Sequence, residues 1–161
     1  MNTIAKKSVN AGQFLSNQHV ATLLSTYKQN RWIDNSEKLG KEDSLTAHVS
    51  IEELEMLIER IKLNGGDGVR LHFAAYPDDY APVPEFAGRQ TVVMVGTRKN
   101  DEGASKEIYM SEGKEAKILA YGDYPVCPPF CNSGVGGGGS RRPAAPTTSL
   151  VDRGDKGMVV A

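Results

Sequence analysis

The sequence predicts the α+β class, as a four- to five-stranded mixed sheet covered by one or two amphipathic helices and followed by a Pro/Gly-rich C-terminal tail. Three observations predict this class. Between residues 50 and 64, apolar side chains recur at helical spacing. Residues 69–76 alternate apolar and polar side chains, as a half-buried strand does. Residues 91–97 (TVVMVGT) are apolar on both faces, which is typical of a central strand.

The predicted helix at 50–64 has clear sequence signals at both ends. Ser50 and Glu53 have the spacing of a capping box, and Gly65, Gly66 and Gly68 follow the last apolar position. A glycine-rich phosphate loop would precede a helix N-terminus, whereas this cluster follows a helix. We therefore interpret the glycines as a helix cap and a corner into the next strand.

The elements before this helix are predicted from weaker patterns. We expect a flexible arm at 1–12 and an amphipathic helix from Gln13 to about Trp32. A charged, turn-rich connector that could include a short helical turn would follow from Asp34 to Asp43. Leu45 to Val49 alternates weakly and predicts a short strand. Together with the helix and the strand at 69–76, it would form a parallel pair with a right-handed crossover.

The elements after the corner are a loop, three strands and a tail. Pro77 to Arg89 is expected to be a long loop, of the kind that often carries binding residues. The strand at 91–97 would be followed by antiparallel strands at 107–111 and 116–121. The domain is thus predicted to span 13–124. Residues 125–161 form a Cys/Pro/Gly-rich tail, mobile unless bound, whose final apolar residues 158–161 could add a strand to a sheet edge.

Composition excludes some classes of function. A net charge of −1 argues against a dedicated nucleic-acid binder. No apolar run approaches the ~20 residues of a membrane span, and no apolar segment follows the basic residues near the N-terminus as in a secretory signal. We therefore expect a cytoplasmic protein with no membrane partner, no nucleic-acid partner and no cofactor.

Polar residues on one face of the strand at 69–76 are candidates for a ligand site. Arg70, His72 and Tyr76 project from that face, and Asp78 and Asp79 follow its end. A histidine beside carboxylates can act as a general acid or base, so His72, Asp78 and Asp79 are the candidate catalytic residues. The alternative is an exposed strand face with no catalytic role.

Two cysteines, Cys127 and Cys131, enclose two prolines and a phenylalanine (CPPFC). In a reducing compartment they are expected to be thiols. Two thiols at this spacing could form half of a zinc site or a reversible disulfide, although no paired histidines supply the remaining zinc ligands. The third possibility is a purely structural turn.

The stretch Val49 to Pro77 (VSIEELEMLIERIKLNGGDGVRLHFAAYP), the TVVMVGT strand and the Cys-Pro-Pro element resemble a group of small uncharacterised bacterial proteins. Members of that group share a capped helix, a Gly-x-Gly-Val-Arg strand ending in Tyr-Pro, and a C-terminal Cys-Pro-Pro. The resemblance covers about residues 45–131. It implies a bacterial cytoplasmic protein and carries over no activity.

Three functions follow as hypotheses. The first is a non-enzymatic protein that acts through protein–protein interaction or self-assembly, using the sheet edge, the 77–90 loop and the tail. The second is a small-molecule binder or enzyme with a pocket under the 77–90 loop. The third is a thiol redox or metal-binding device at Cys127 and Cys131.

Overall fold

The computed structural model describes residues 12–131, 150–154 and 157–160. These residues belong to two compact units. Unit 1 contains the described residues up to 33 together with those from 150 onward, and unit 2 contains residues 34–131. The predicted arm at 1–12 lies almost entirely outside the described residues, as does the tail between 132 and 149.

Unit 1 is built from a helix and a hairpin. Helix α1 (Asn17–Tyr27) continues into a π-helical segment (Lys28–Trp32), and β9 (Leu150–Asp152) pairs antiparallel with β10 (Met158–Val160). The Ser25 hydroxyl joins helix to hairpin, since it donates to the Met158 carbonyl at 2.8 Å and accepts from the Met158 N–H at 2.9 Å. The predicted C-terminal strand is therefore present and pairs with β9.

A partly buried ion pair also joins helix and hairpin within unit 1. The Lys28 ammonium is buried, pairs with Asp152, and lies 5.0 Å from the centre of the Trp32 ring. The hydrogen bond from Lys28 lowers the pKa of Asp152.

Helical structure continues past Trp32 through α2 (Ile33–Leu39), so most of the predicted 34–43 connector is helical. The helix ends at Gly40, which has φ +67°. The Gly40 N–H bonds to the Glu37 carbonyl, and the Lys41 N–H bonds to the Ser36 carbonyl. These two bonds form a Schellman cap. The helix therefore ends at Gly40, and the charged residues before it are helical.

Helix α3 (Ile51–Leu63) confirms the predicted capped helix. Ser50 and Glu53 form the capping box: the Glu53 N–H donates to Ser50 Oγ, and the Ser50 N–H donates to Glu53 Oε2. At the other end Gly65 has φ +74°, and the Gly66 N–H bonds to the Ile61 carbonyl as in a Schellman cap.

The main sheet has four strands, and β3 (Gln90–Lys99) is central. On one side residues 90–97 of β3 pair with the whole of β2 (Gly68–Ala75). On the other side it pairs with β4 (Ser105–Glu107) and with β7 (Ala120–Tyr121). The α+β class and a sheet of about four strands are thus confirmed.

Every strand pair among the described residues is antiparallel, so the predicted parallel pair is wrong. The short strand β1 (Thr46–Ala47) pairs instead with β8 (Val126–Cys127). The pairing of β1 with β8 depends on tertiary contacts, because Val126 has 0% exposure and packs with Tyr76 and Phe86. Residues 125–131, assigned from sequence to the tail, therefore lie within unit 2.

The predicted strands at 107–111 and 116–121 are each divided in two. After β4 the chain enters β5 (Tyr109–Glu112), which pairs only with β6 (Glu115–Ile118) among the described residues. The breaks fall at Ile108 and Leu119, which are both buried. The Leu119 N–H bonds to the Ile108 carbonyl, so the two breaks meet in the core.

Close contact with β3 positions α3. A Cβ added at Gly96 would lie 2.8 Å from Ile61 Cγ1 and 2.4 Å from Leu119 Cδ2. At its other end the helix is tied to β7, because the Tyr121 hydroxyl donates to Glu53 Oε1 at 2.7 Å. This hydrogen bond lowers the pKa of Glu53 and raises that of Tyr121. Helix α3 thus covers β3 and β7.

Gly96→Ala is expected to lower the free energy of unfolding by about 1–3 kcal/mol, since the new methyl group would collide with two packed core side chains. Urea denaturation measures this change. Gly122→Ala is the matched control, because its nearest neighbour would be Val93 Cγ2 at 3.9 Å. Equal stability of the two variants would contradict the close packing of α3 on β3.

Candidate interaction surface

The 77–90 loop folds back on itself. The Pro77 carbonyl accepts hydrogen bonds from the Tyr80 and Gly88 N–H groups, and a 3-10 turn spans Pro84–Phe86. Its side chains build an aromatic cluster in which the Phe86 ring centre lies 5.0 Å from that of Tyr76 and 5.6 Å from that of Phe130. The loop is therefore packed and does not cover a pocket formed by the predicted site residues.

The predicted polar site does not assemble. Arg70 is held by an ion pair with Glu107 and donates to the Ser105 carbonyl, whereas His72 is exposed. Tyr76 is buried in the aromatic cluster, and Asp78 and Asp79 are exposed. Arg70, His72 and Tyr76 lie on one side of β2 and the two aspartates follow the strand, but these side chains do not converge on a common site.

A cavity near the loop is formed mostly by residues outside the predicted site. It has a volume of about 280 Å³ and is lined by residues that include Asn35, Lys38, Asp43 and Gln90. Asp43 is buried and its Oδ1 accepts from the Ser44 and Gln90 N–H groups, each at 2.7 Å. This carboxylate is used to join the segment before β1 to β3.

The buried hydroxyl of Tyr76 has a strongly raised pKa. Burial raises the pKa of its hydroxyl to about 12, and nearby Asp123 contributes. Neither this hydroxyl nor Thr91 Oγ1 has a partner at standard hydrogen-bond geometry among the described residues. Tyr76 is thus a core residue, and its role in a ligand site stays a prediction.

The two predicted thiols form a disulfide, with Cys127 Sγ and Cys131 Sγ 2.07 Å apart. Cys127 is anchored because its carbonyl accepts from the Leu45 N–H at 2.6 Å, whereas Cys131 is exposed. Joined sulfur atoms are not the thiolates that bind zinc. A disulfide is also not typical of cytoplasmic proteins, so the predicted location stays a prediction.

The apolar face of β2 is the unexpected feature. Val69, Leu71 and Phe73 are opposite Gly96, Met94 and Val92 of β3 and share the core side of the sheet. Met94 is buried, whereas Val69, Leu71 and Phe73 are 37%, 60% and 88% exposed. Because α3 lies over β3 and β7, it leaves this stripe uncovered. We call these three residues the β2 stripe.

The backbone of β2 is also available along one edge. Among the described residues β2 pairs only with β3. Gly96, opposite Val69, uses its N–H and carbonyl to bond Leu119 and Ile108 on the side away from β2. Since hydrogen bonding alternates along an antiparallel pair, the N–H and carbonyl groups of the β2 stripe point to the free edge.

A groove runs beside the stripe. A cavity of about 170 Å³ lies between α3 and the start of β2, lined by residues that include Ile58, Lys62 and Val69. Ile51 lies two helical turns before Ile58 on the same face of α3, and both are exposed. The groove therefore has one wall from the helix and one from the edge strand.

Sequence reasoning chose the opposite face of β2 as the candidate surface. It selected Arg70, His72 and Tyr76, whereas the exposed stripe lies on the face that the alternation predicts to be buried. No sequence signal shows how far a covering helix extends across a sheet.

Comparison of the chain with models of known protein families, with curated proteins and with solved structures found no match. The resemblance to the bacterial group therefore stays a prediction. The described residues contain no group of three or more His, Cys, Asp or Glu side chains placed to hold a metal ion. None of the helices in the described ranges is long and apolar enough to cross a bilayer.

Stability is expected to depend on Tyr76 at high pH. Since its folded-state pKa is about 12 and a tyrosine in an unfolded chain titrates near 10, folding favours the neutral phenol. This contribution is complete below about pH 10 and is lost as the pH rises toward 12. By pH 11.5 the free energy of unfolding of the wild type should therefore have fallen by about 2 kcal/mol more than that of Tyr76→Phe.

Urea denaturation between pH 8 and 11.5 measures this difference. Tyr109→Phe is the control because Tyr109 is exposed, and it should follow the wild type. If Tyr76→Phe showed the same alkaline loss as the wild type, the raised pKa would be wrong.

The disulfide is expected to act as a local clamp on β8. Replacing both cysteines by serine should lower the free energy of unfolding by about 2 kcal/mol, the value for closing a very short loop. Reductant should destabilise the wild type to the same extent and leave the double variant unchanged. Equal stability of the wild type with and without reductant would show that the clamp contributes nothing.

Proposed function

We propose that this protein is a non-enzymatic interaction module that binds a protein strand along the free edge of β2. The observation that carries this proposal is the β2 stripe, an exposed apolar row on a strand that pairs on one side only in the described part of the chain. Such an edge binds other chains readily, which is why proteins usually protect it.

The backbone supplies part of the interaction. The stripe residues direct their N–H and carbonyl groups outward, so an incoming strand would continue the sheet order from β3 through β2. Peptide-binding domains use this β-augmentation to obtain affinity from main-chain hydrogen bonds.

The side chains supply the rest. An added strand would place alternate residues over the core side of the sheet, beside Leu71 and Phe73 and against the exposed α3 residues Ile51 and Ile58. Removing a large apolar side chain from water is worth about 1.5–3 kcal/mol. The expected ligand is thus an extended segment with apolar residues at every second position.

In this proposal the 77–90 loop and the tail contribute less to binding than the sequence predicted. The 77–90 loop is packed against Val126 and Phe130. Most of the tail lies outside the described residues. We also propose that the protein acts in the bacterial cytoplasm, because the group that its sequence resembles is bacterial and cytoplasmic.

Selection of random decapeptides displayed on phage tests the function. Peptides with alternating apolar residues should be enriched on sparsely immobilised wild-type protein and should bind Phe73→Asp at least about tenfold more weakly. Phe14→Asp is the matched control, because Phe14 is an equally exposed aromatic residue in unit 1.

Hydrogen exchange then locates the bound peptide. The amides of Val69, Leu71 and Phe73 should gain protection, whereas those of Arg70, His72 and Ala74 already face β3. The function would be refuted if no peptide were enriched, or if binding were the same in Phe73→Asp.

A further inference from the structure

We infer that the strand bound at the edge of β2 is the β2 strand of a second copy of this chain, related by a two-fold axis at His72. This inference rests on the proposed function and names the partner for the same surface. The support comes from the self-complementarity of β2, its lack of edge protection, and the area that the contact would bury.

Self-complementarity follows from the alternation along β2. When two copies of β2 pair antiparallel, their apolar side chains lie on the same side of the joined sheet only if odd-numbered residues are opposite odd-numbered residues. With His72 on the axis, Leu71 is opposite Phe73 of the second copy, and Val69 is opposite Ala75. The outward backbone groups of these four residues would then form about eight hydrogen bonds. With Leu71 on the axis, only about six would form.

The residues at the axis allow this close approach. Residues directly opposite at a position without backbone bonds have Cα atoms about 4.5 Å apart. His72 is exposed, so no described side chain covers it. Arg70 would be opposite Ala74 of the second copy, so no two arginines meet.

Within the described part of the chain, the edge has none of the usual protection against pairing. Residues 68–75 (GVRLHFAA) contain no proline and no lysine, and they pair with β3 in continuous register without a bulge. The single charged side chain, Arg70, is held toward β4 by Glu107 and the Ser105 carbonyl. An edge left open in this way is expected to be covered in the working assembly.

The area is enough for a reversible dimer. The eight residues of β2 extend about 26 Å, and one sheet layer with one helix layer is about 20 Å deep. Each copy would bury about 500 Å², so the total of about 1,000 Å² lies at the low end for specific interfaces. We therefore expect a dimer with a dissociation constant near the micromolar range.

Sedimentation velocity of the full chain between about 1 and 200 µM tests the assembly. The wild type should change from monomer to dimer over this range, and Phe73→Asp should remain monomeric throughout. Phe14→Asp should behave as the wild type. Circular dichroism confirms that each variant is folded, which is expected because both phenylalanines are exposed.

Cysteine cross-linking tests the register. With a mild oxidant, His72→Cys should give a disulfide-linked dimer joined through the introduced cysteines, as mass spectrometry of the peptides would show. Lys106→Cys is the control, because it is an exposed position on β4, away from the free edge, and should not cross-link.

Each outcome decides the inference. A wild type that is monomeric at 200 µM would overturn it, as would a dimer that persists in Phe73→Asp. A dimer lost in Phe73→Asp but not cross-linked through His72→Cys would overturn the register and the stated axis. In any of these cases, peptides that still bind wild type and not Phe73→Asp would leave the proposed function standing with a different partner.

Discussion

The close approach of α3 to β3 at Gly96 is the contact on which the rest of unit 2 depends. Ile61 of the helix and Leu119 after β6 occupy the space that a side chain at this position would fill. With the helix fixed there, and with Glu53 tied to Tyr121 on β7, the core forms over β3 and its neighbours on one side. The position of the helix then decides which strands are covered.

The consequence for β2 is an apolar face without a cover. A single helix is about 10 Å wide, about two strand spacings, so it cannot cover every strand of a four-stranded sheet. Placed over β3 and β7, it leaves Leu71 and Phe73 in solvent. The same geometry that completes the core therefore creates the surface to which we assign the function.

The other end of unit 2 shows a different solution for covering a strand. Tyr76, at the end of β2, is buried by Phe86 of the loop and by Val126 of β8, and the disulfide closes the turn that carries Phe130. Here local loops supply the cover that α3 does not. Hence Tyr76, the residue after β2, is buried, whereas Leu71, Phe73 and Ala75 of β2 are exposed.

The sequence by itself determined the local elements of unit 2. The capping box at Ser50, the glycine cap after Asn64, the alternation of β2 and the central character of β3 were all readable, because each depends on neighbours within a few residues. It also fixed that β2 has one apolar and one polar face.

Only the tertiary structure decided which apolar face is buried and which strands pair. The antiparallel pairing of β1 with β8 depends on the burial of Val126, about 80 residues away in the chain. The exposure of Phe73 depends on where α3 crosses the sheet, which Gly96, Ile61 and Leu119 determine together. Both features depend on contacts between residues that are distant in the chain. A local sequence pattern shows which residue types are present but not which of them come into contact.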